Sequence, residues 1–191
     1  MKALVLTAYN QLEIQDVPDP DPGPGEVLVR VRACGICGSD VHGMDGSTGR
    51  RIPPIIMGHE ASGEIVALGA DVDGWQEGTR VTFDSTIYCG RCWYCRRGDI
   101  HLCDRRRVLG VSCDEYRRHG AFAEYVVVPE HILYALPQEV GFVEAAMVEP
   151  LSIALHALQR APLRPADAVV IFGAGTIGLM LVQAVRVGGA G

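Results

Sequence analysis

The chain of 191 residues carries 17 Lys and Arg against 23 Asp and Glu, a formal net charge of −6, with 48% hydrophobic and 21% charged residues. That balance excludes a protein devoted to nucleic acid or to an anionic membrane surface, and the composition excludes disorder as the default state. The length suits one large domain, or one domain and part of a second.

The apolar run Ala3 to Ala8 is shorter than a secretory core segment and passes into Asn10, Gln11 and Glu13 without a cleavage-type site, so a cytoplasmic protein is expected. Pro18 to Gly25, rich in Pro, Gly and Asp, reads as a loop. After it, Val27, Val29 and Val31 alternate with polar residues up to Arg32, the period-two signature of a half-buried strand. Further β-prone runs at Glu64 to Leu68, Arg80 to Phe83 and Phe122 to Val128 are separated by glycine-containing turns. The first part of the chain therefore reads as an irregular, mostly β barrel or sandwich.

The character changes at Phe142. Val143, Ala146, Met147, Leu151, Ala154, Leu155 and Leu158 recur at helical spacing, and Pro150 suits a first helical turn, so two helical segments are expected to meet near Glu149. Ala161 to Pro165 reads as a linker. Ala168 to Phe172 is a fully apolar, β-prone run, followed by GAGTIG at Gly173 to Gly178 and by a helix over about Thr176 to Val187. The most apolar stretch, Ala168 to Val182, is shorter than the roughly 20 residues of a spanning helix and is interrupted by glycines, so no membrane association is expected.

Seven cysteines with no export signal point to metal rather than disulfides. Cys89, Cys92, Cys95 and Cys103 stand as C-x2-C-x2-C-x7-C, a spacing that lets four thiolates converge on one tetrahedral ion and describes a closed, structural zinc site. Arg91, Arg96, Arg97, Arg105, Arg106 and Arg107 surround it against Asp99 and Asp104. A zinc tetrathiolate is itself anionic, and nearby arginines ease the gathering of thiolates, so this charge reads as solvated surface around a zinc lobe rather than as a nucleic-acid patch. Cys34 and Cys37 form a CxxC, but the βαβ context of a redox pair is absent. The better partner for Cys37 is His59 in the GHE of Gly58 to Glu60, because one thiolate, one imidazole and one carboxylate leave a zinc position open for chemistry. His59 and Glu60 are neighbours, and neighbours on a regular strand face opposite ways, so the backbone there must be irregular if both bind.

GHEASGEIVALGADV, Gly58 to Val72, fits the signature G-H-E-x2-G-x5-G-x2-V of zinc-containing alcohol dehydrogenases at every fixed position. GICGSDVH before it follows the same family, as do the four-cysteine lobe, GAFAEYVVVP at Gly120 to Pro129, EPLSIALHAL at Glu149 to Leu158 and GAGTIG. The chain thus resembles the medium-chain zinc-dependent alcohol and polyol dehydrogenases over its whole length. The resemblance implies a mostly β GroES-like catalytic domain over residues 1–160, with a structural zinc lobe at about 89–103. The start of an α/β Rossmann domain would occupy residues 166–191.

It further implies two zinc ions per chain, NAD or NADP as cofactor, a small-molecule alcohol as substrate, and a dimer or tetramer as the full protein. Cys37, His59 and Glu60 would hold the catalytic zinc, and Ser39 and His42 would form the proton relay, with Asp40 supporting local hydrogen bonding. Glu149 stands where enzymes for simple alcohols usually have a cysteine ligand. Its presence resembles the sorbitol, butanediol and threonine dehydrogenase pattern, in which this glutamate binds zinc or contacts the substrate or a zinc-bound water. Gly173, Gly175 and Gly178, with Thr176 and Ile177 between them, would form the dinucleotide turn, the glycines admitting a pyrophosphate to the helix N-terminus.

The acidic ribose-binding residue expected about 20 positions further on is not reached by Gly191. The sequence therefore reads as an N-terminal fragment, expected to be inactive alone, of an enzyme oxidising a secondary alcohol of a polyol, vicinal diol or amino alcohol. The alternative is a non-catalytic zinc-binding GroES-like module. Cys34 and Cys113 are expected to be ordinary thiols, Trp75 a packing anchor, and His156 a hydrogen-bonded core residue.

Overall fold

The structure, a computed structural model, describes residues 1–112 and 117–189. Cys113 lies outside the described residues. The chain packs as two units, Met1–Ala146 and Met147–Gly191. This division falls before the linker at Ala161 to Pro165, because the helix that precedes the linker packs against the helix that follows it.

The first unit is built on β1 (Lys2–Ala8), β2 (Gln11–Asp16), β3 (Glu26–Gly35), α1 (Gly38–Gly43), β4 (Ile55–Ile56), β5 (Glu60–Leu68), β6 (Arg80–Phe83), β7 (Thr86–Ile87), α2 (Trp93–Arg96), β8 (Arg107–Val108), β9 (Tyr125–Pro129), β10 (Leu133–Ala135) and α3 (Phe142–Ala146). They form a three-stranded sheet β2-β1-β4, a five-stranded sheet β10-β6-β5-β3-β9 and the small hairpin β7-β8. Every pairing is antiparallel. The alternation in β3 works as expected: Val27 and Val29 are fully buried and Val31 packs against the same core. Ile65, Val81, Val128 and Ile132 join them, each burial being worth about 1.5–3 kcal/mol. Trp75 packs on this cluster as a partly buried anchor.

The detail that matters for chemistry is the far end of β3. Its register against β5 slips between Leu28 and Val29 and again between Val31 and Ala33. Such bulges bend a strand and raise its twist. They bring Cys34 opposite Ala61 and Gly35 opposite Glu60, so the segment leading to Cys37 leaves the sheet beside the residues that open β5.

In the second unit, α4 (Val148–Arg160) and α5 (Thr176–Val187) pack together. Met147 separates α3 from α4, and Pro150 sits in the first turn of α4, as its lack of an N–H allows. Two sequence expectations need correction. Ala168 to Phe172 carries no strand ladder, and Phe172 is 96% exposed. Apolar, β-branched residues favour extended backbone, but a strand exists only when a neighbour takes its hydrogen bonds, and none of the described residues does so here. His156 is exposed on α4 rather than set in a core, since Pro150 and Ala154 are the buried positions of that helix.

Candidate metal centres

Cys89, Cys92, Cys95 and Cys103 offer sulfur atoms that all lie within 4.8 Å of one another. The backbone that gathers them is local. Cys92 caps α2 and Cys95 lies within it, while a 3-10 turn over Ile100–Leu102 ends at Cys103. The β7-β8 hairpin, pairing Thr86 with Val108 and Ile87 with Arg107, closes the base of the lobe. The Sγ atoms of Cys92 and Cys95 are 3.4 Å apart, and the backbone N–H groups of Cys89 and Arg105 each donate to Cys103 Sγ at 3.3 Å.

Four thiols this close cannot all ionise without a cation. The backbone N–H of Arg91 and its neighbours pull Cys89 down to about 6, whereas desolvation and the adjacent thiols push Cys95 up to about 12. A divalent ion removes that conflict by deprotonating every ligand, so the set fits zinc in a closed, four-sulfur site. Arg97 lies over the Trp93 ring at 4.3 Å and faces Asp99 at 3.4 Å, which employs part of the lobe's positive charge internally.

The second group is Cys37, His59 and Glu60, again with ligand atoms within 4.8 Å of one another. Here the ligands come from separate elements. Cys37 is the N-cap of α1, its Sγ accepting from the Ser39 N–H at 3.4 Å while the Asp40 carboxylate accepts from the Cys37 N–H at 3.2 Å. Burial pushes the Cys37 thiol above its ordinary range.

His59 precedes β5 and Glu60 opens it, so the irregular backbone required for both to reach one point is present. Gly58 turns the chain at φ +88°, and a Cβ there would lie 2.5 to 2.9 Å from three atoms of the Phe122 ring. Only glycine fits that conformation without strain. A Cβ on Gly35 would fall on the Glu60 carboxylate, so the first glycine of the C-G-I-C-G stretch makes the room that Glu60 occupies.

Asp40 and Arg51 complete the surroundings, both buried. Asp40 Oδ1 lies 3.5 Å from His59 Nδ1 and 3.2 Å from Arg51 Nη2. Burial alone would raise the Asp40 carboxyl, but the His59 imidazole and the Arg51 guanidinium outweigh it and hold the group below the usual carboxylate range. A carboxylate on one ring nitrogen fixes an imidazole's orientation and leaves the other nitrogen for a metal. The thiolate, imidazole and carboxylate donors fit a zinc site with an open position. Among the described residues, these two groups are the ones in which three or more Cys, His, Asp or Glu donors gather in this way.

Ser39 and His42 occupy α1 three residues apart, on one helical face, and both are exposed. Cys34 packs against the core, and burial, reinforced by the charges of Asp40 and Glu60, pushes its thiol up to about 12. A Cys34–Cys37 redox pair is therefore not favoured. Glu149 stands in the first turn of α4, in the second unit. In that unit Gly173 adopts φ +108° and Gly175 caps α5. A Cβ on Gly178 would collide with the Gly173 carbonyl, which makes the third glycine the condition for a turn this tight; Thr176 and Ile177 open the helix between them. The residue that sequence reasoning missed is Arg51. It sits in a polar loop with no periodicity, and no sequence signal separates it from its neighbour Arg50.

Residues 23–138 match the alcohol dehydrogenase GroES-like domain. The chain is 38% identical to sorbitol dehydrogenase of Bacillus subtilis, covering all of this chain and 54% of that protein. A crystal structure of a zinc-binding dehydrogenase from Sinorhizobium meliloti, bound to NADP, superposes with a TM-score of 0.90 at 39% identity, over 99% of this chain and 54% of the other. An alcohol dehydrogenase from Escherichia coli CFT073, solved with NADH, gives 0.88 at 38% identity over 97% and 53%. The chain thus spans about half the length of the relatives it matches. No described helix is long and apolar enough to cross a membrane. With two cysteine-containing donor sets within a GroES-like domain match, the chain belongs to the zinc-type medium-chain alcohol and polyol dehydrogenase family.

Proposed function

We propose that the protein is a zinc-dependent oxidoreductase that moves a hydride from a secondary alcohol, carried on a polyol, vicinal diol or amino alcohol, to NAD or NADP. The observation that carries this reading is the convergence of Cys37, His59 and Glu60, a donor set with an open position, beside the Ser39–His42 face of α1. When bound there, zinc supplies Lewis-acid polarisation of the substrate oxygen, and the nicotinamide supplies the hydride acceptor. Cys37, His59 and Glu60 hold the ion, with Asp40 orienting the imidazole. Ser39 takes up the alcohol proton and His42 passes it to solvent, the serine needing only to donate as it accepts. The glycine turn at Gly173, Gly175 and Gly178, with the Thr176 and Ile177 amides at the start of α5, receives the pyrophosphate. Cys89, Cys92, Cys95 and Cys103 hold a second, structural zinc. A reducing cytoplasm keeps these thiols available for metal, and a homo-oligomer is the assembly we expect.

Glu149 sets the substrate class in this reading. A hard carboxylate in place of a soft thiolate suits a second substrate hydroxyl or amine next to the reacting oxygen. A simple primary alcohol leaves that carboxylate without its partner, which is costly in a site built around it. The test is a substrate panel on the full natural protein. Polyols, vicinal diols or amino alcohols should exceed ethanol by at least about tenfold in kcat/KM, a difference of about 1.4 kcal/mol. Equal efficiency on ethanol and on the panel would remove the substrate assignment, and absence of any NAD(P)-dependent oxidation by the zinc-loaded protein would remove the enzyme reading.

A further inference from the structure

Arg51 is 3% exposed, although it comes from a loop whose neighbours on both sides are polar or at the surface. Two features fix it there. Gly43, at the end of α1, lacks the Cβ that would fall on Arg51 Cγ, so the helix leaves a slot for the arginine stem. Ser112 clamps the backbone on either side: its N–H donates to the Arg50 carbonyl at 3.1 Å, and its hydroxyl accepts from the Ile52 N–H and donates to the Ile52 carbonyl at 2.9 Å.

At the inner end of that slot a single nitrogen does two things. Arg51 Nη2 donates to Asp40 Oδ1 at 3.2 Å and to Ser39 Oγ at 3.4 Å. The same Asp40 oxygen lies 3.5 Å from His59 Nδ1, and the other carboxylate oxygen accepts the N–H of Cys37 at 3.2 Å. One buried cation is therefore joined, through one carboxylate, to two members of the Cys37–His59–Glu60 set. It is joined directly to the hydroxyl beside them.

We propose that Arg51 is a positioning residue for the dehydrogenase reaction, holding the Cys37–His59–Glu60 metal set in register with the Ser39 hydroxyl. The proposal rests on the function proposed above. Asp40 is buried and faces two groups at once, and a fixed guanidinium on its Oδ1 determines which rotamer it keeps and hence how it presents an oxygen to His59. Donation from Arg51 into Ser39 Oγ occupies one acceptor site on that oxygen. The hydroxyl's own hydrogen must then point away from the guanidinium, the arrangement a relay serine needs in order to pass a proton onward. Arginine suits this place because its planar fork stays charged and pre-organised, whereas a lysine ammonium is a point charge on a flexible stem.

The experiment compares the full natural protein with Arg51→Lys and Arg51→Gln. Zinc affinity at each centre is measured by chelator competition, and the Cys37 centre is followed separately through the absorption bands of bound cobalt(II). Loss of supporting contacts around metal ligands typically weakens affinity by about 10- to 100-fold. The expected order at the Cys37 centre is parent, then Arg51→Lys about three- to tenfold weaker, then Arg51→Gln about 10- to 100-fold weaker with altered cobalt bands. The four-cysteine centre, as internal control, should be unchanged in both variants. Parent-like affinity in Arg51→Lys overturns the proposal even where Arg51→Gln does not fold, and so does an equal loss at both centres, which marks a general structural role. A parent protein that takes up metal at the four cysteines alone overturns the two-centre reading and this proposal with it; two metals in the parent with indifferent Arg51 variants overturn this proposal alone.

Discussion

The four-cysteine lobe and the Cys37 centre use similar donors in opposite ways. In the lobe all ligands come from residues 89–103, on one short helix, one 3-10 turn and their connections, closed by a two-residue-wide hairpin. Little of the hydrophobic core lies there: Cys103 is buried, but Trp93 and Leu102 are exposed. In the Cys37 centre the ligands come from the N-cap of α1 and the start of β5, and what brings them together is the bulged pairing of two long strands on a packed core. If the two sets hold zinc as proposed, the lobe would depend on its metal to be a structure, whereas the Cys37 centre would depend on the structure to be a metal site. The difference explains why one suits a closed staple and the other an open position for chemistry.

The largest expected effect follows from that dependence. Cys103→Ser or Cys92→Ser should lower folding stability by at least about 4 kcal/mol, because binding energy at a structural zinc is folding energy. Calorimetric or denaturant unfolding checks it, and a variant that melts with the parent would mean that the lobe holds itself together without metal.

Next is Gly58→Ala, which tests the reverse dependence. A methyl group at φ +88° against the Phe122 ring should destabilise the fold by about 2–4 kcal/mol, combining backbone strain with overpacking. It should also displace His59, so zinc is lost from the Cys37 centre while the lobe keeps its own. Equal loss from both centres would show that they are not independent.

These two predictions also separate what was legible in the sequence from what was not. The lobe could be read from spacing alone, because its ligands are neighbours along the chain and short loops limit where sulfur atoms can go. Cys37, His59 and Glu60 could be paired only by a chemical guess and by family resemblance, since nothing local reveals that β3 bulges twice and delivers Gly35 opposite Glu60. Arg51 was invisible for a related reason: its role is set by the space that Gly43 leaves across the intervening loop and by the clamp of Ser112, which is distant in chain terms. The alternation of β3 and the two helical segments around Met147 were readable, because period and proline placement are local. The run Ala168 to Phe172 shows the limit of that reading. Hydropathy marks it as extended, but a ladder needs a partner.

A smaller effect concerns Glu149, on which the proposed substrate class rests. Glu149→Gln should shrink the preference for diols and amino alcohols over ethanol, itself about 1.4 kcal/mol, towards zero. An unchanged preference in kcat/KM would sink Glu149 as the determinant and leave both metal centres as they are.

The smallest effect per step is a pH dependence of metal uptake by the lobe. Cys95, pushed up to about 12, is protonated at neutral pH in the metal-free lobe and must release its proton on binding, whereas Cys89, at about 6, is already ionised. The apparent zinc affinity of the lobe should therefore rise at least about tenfold per pH unit between pH 7 and 8, and fall more steeply below about pH 6 as Cys89 takes up a proton too. Competition titrations across that range check it, and a flat profile would contradict the protonation states given to Cys89 and Cys95.

The claim that the chain carries two metal centres of different dependence is tested most directly by elemental analysis of the zinc-replete protein beside Cys37→Ala. Two zinc ions per chain in the parent and one in a folded Cys37→Ala are the predicted result. One zinc in the parent, unmoved by Cys37→Ala, would contradict it.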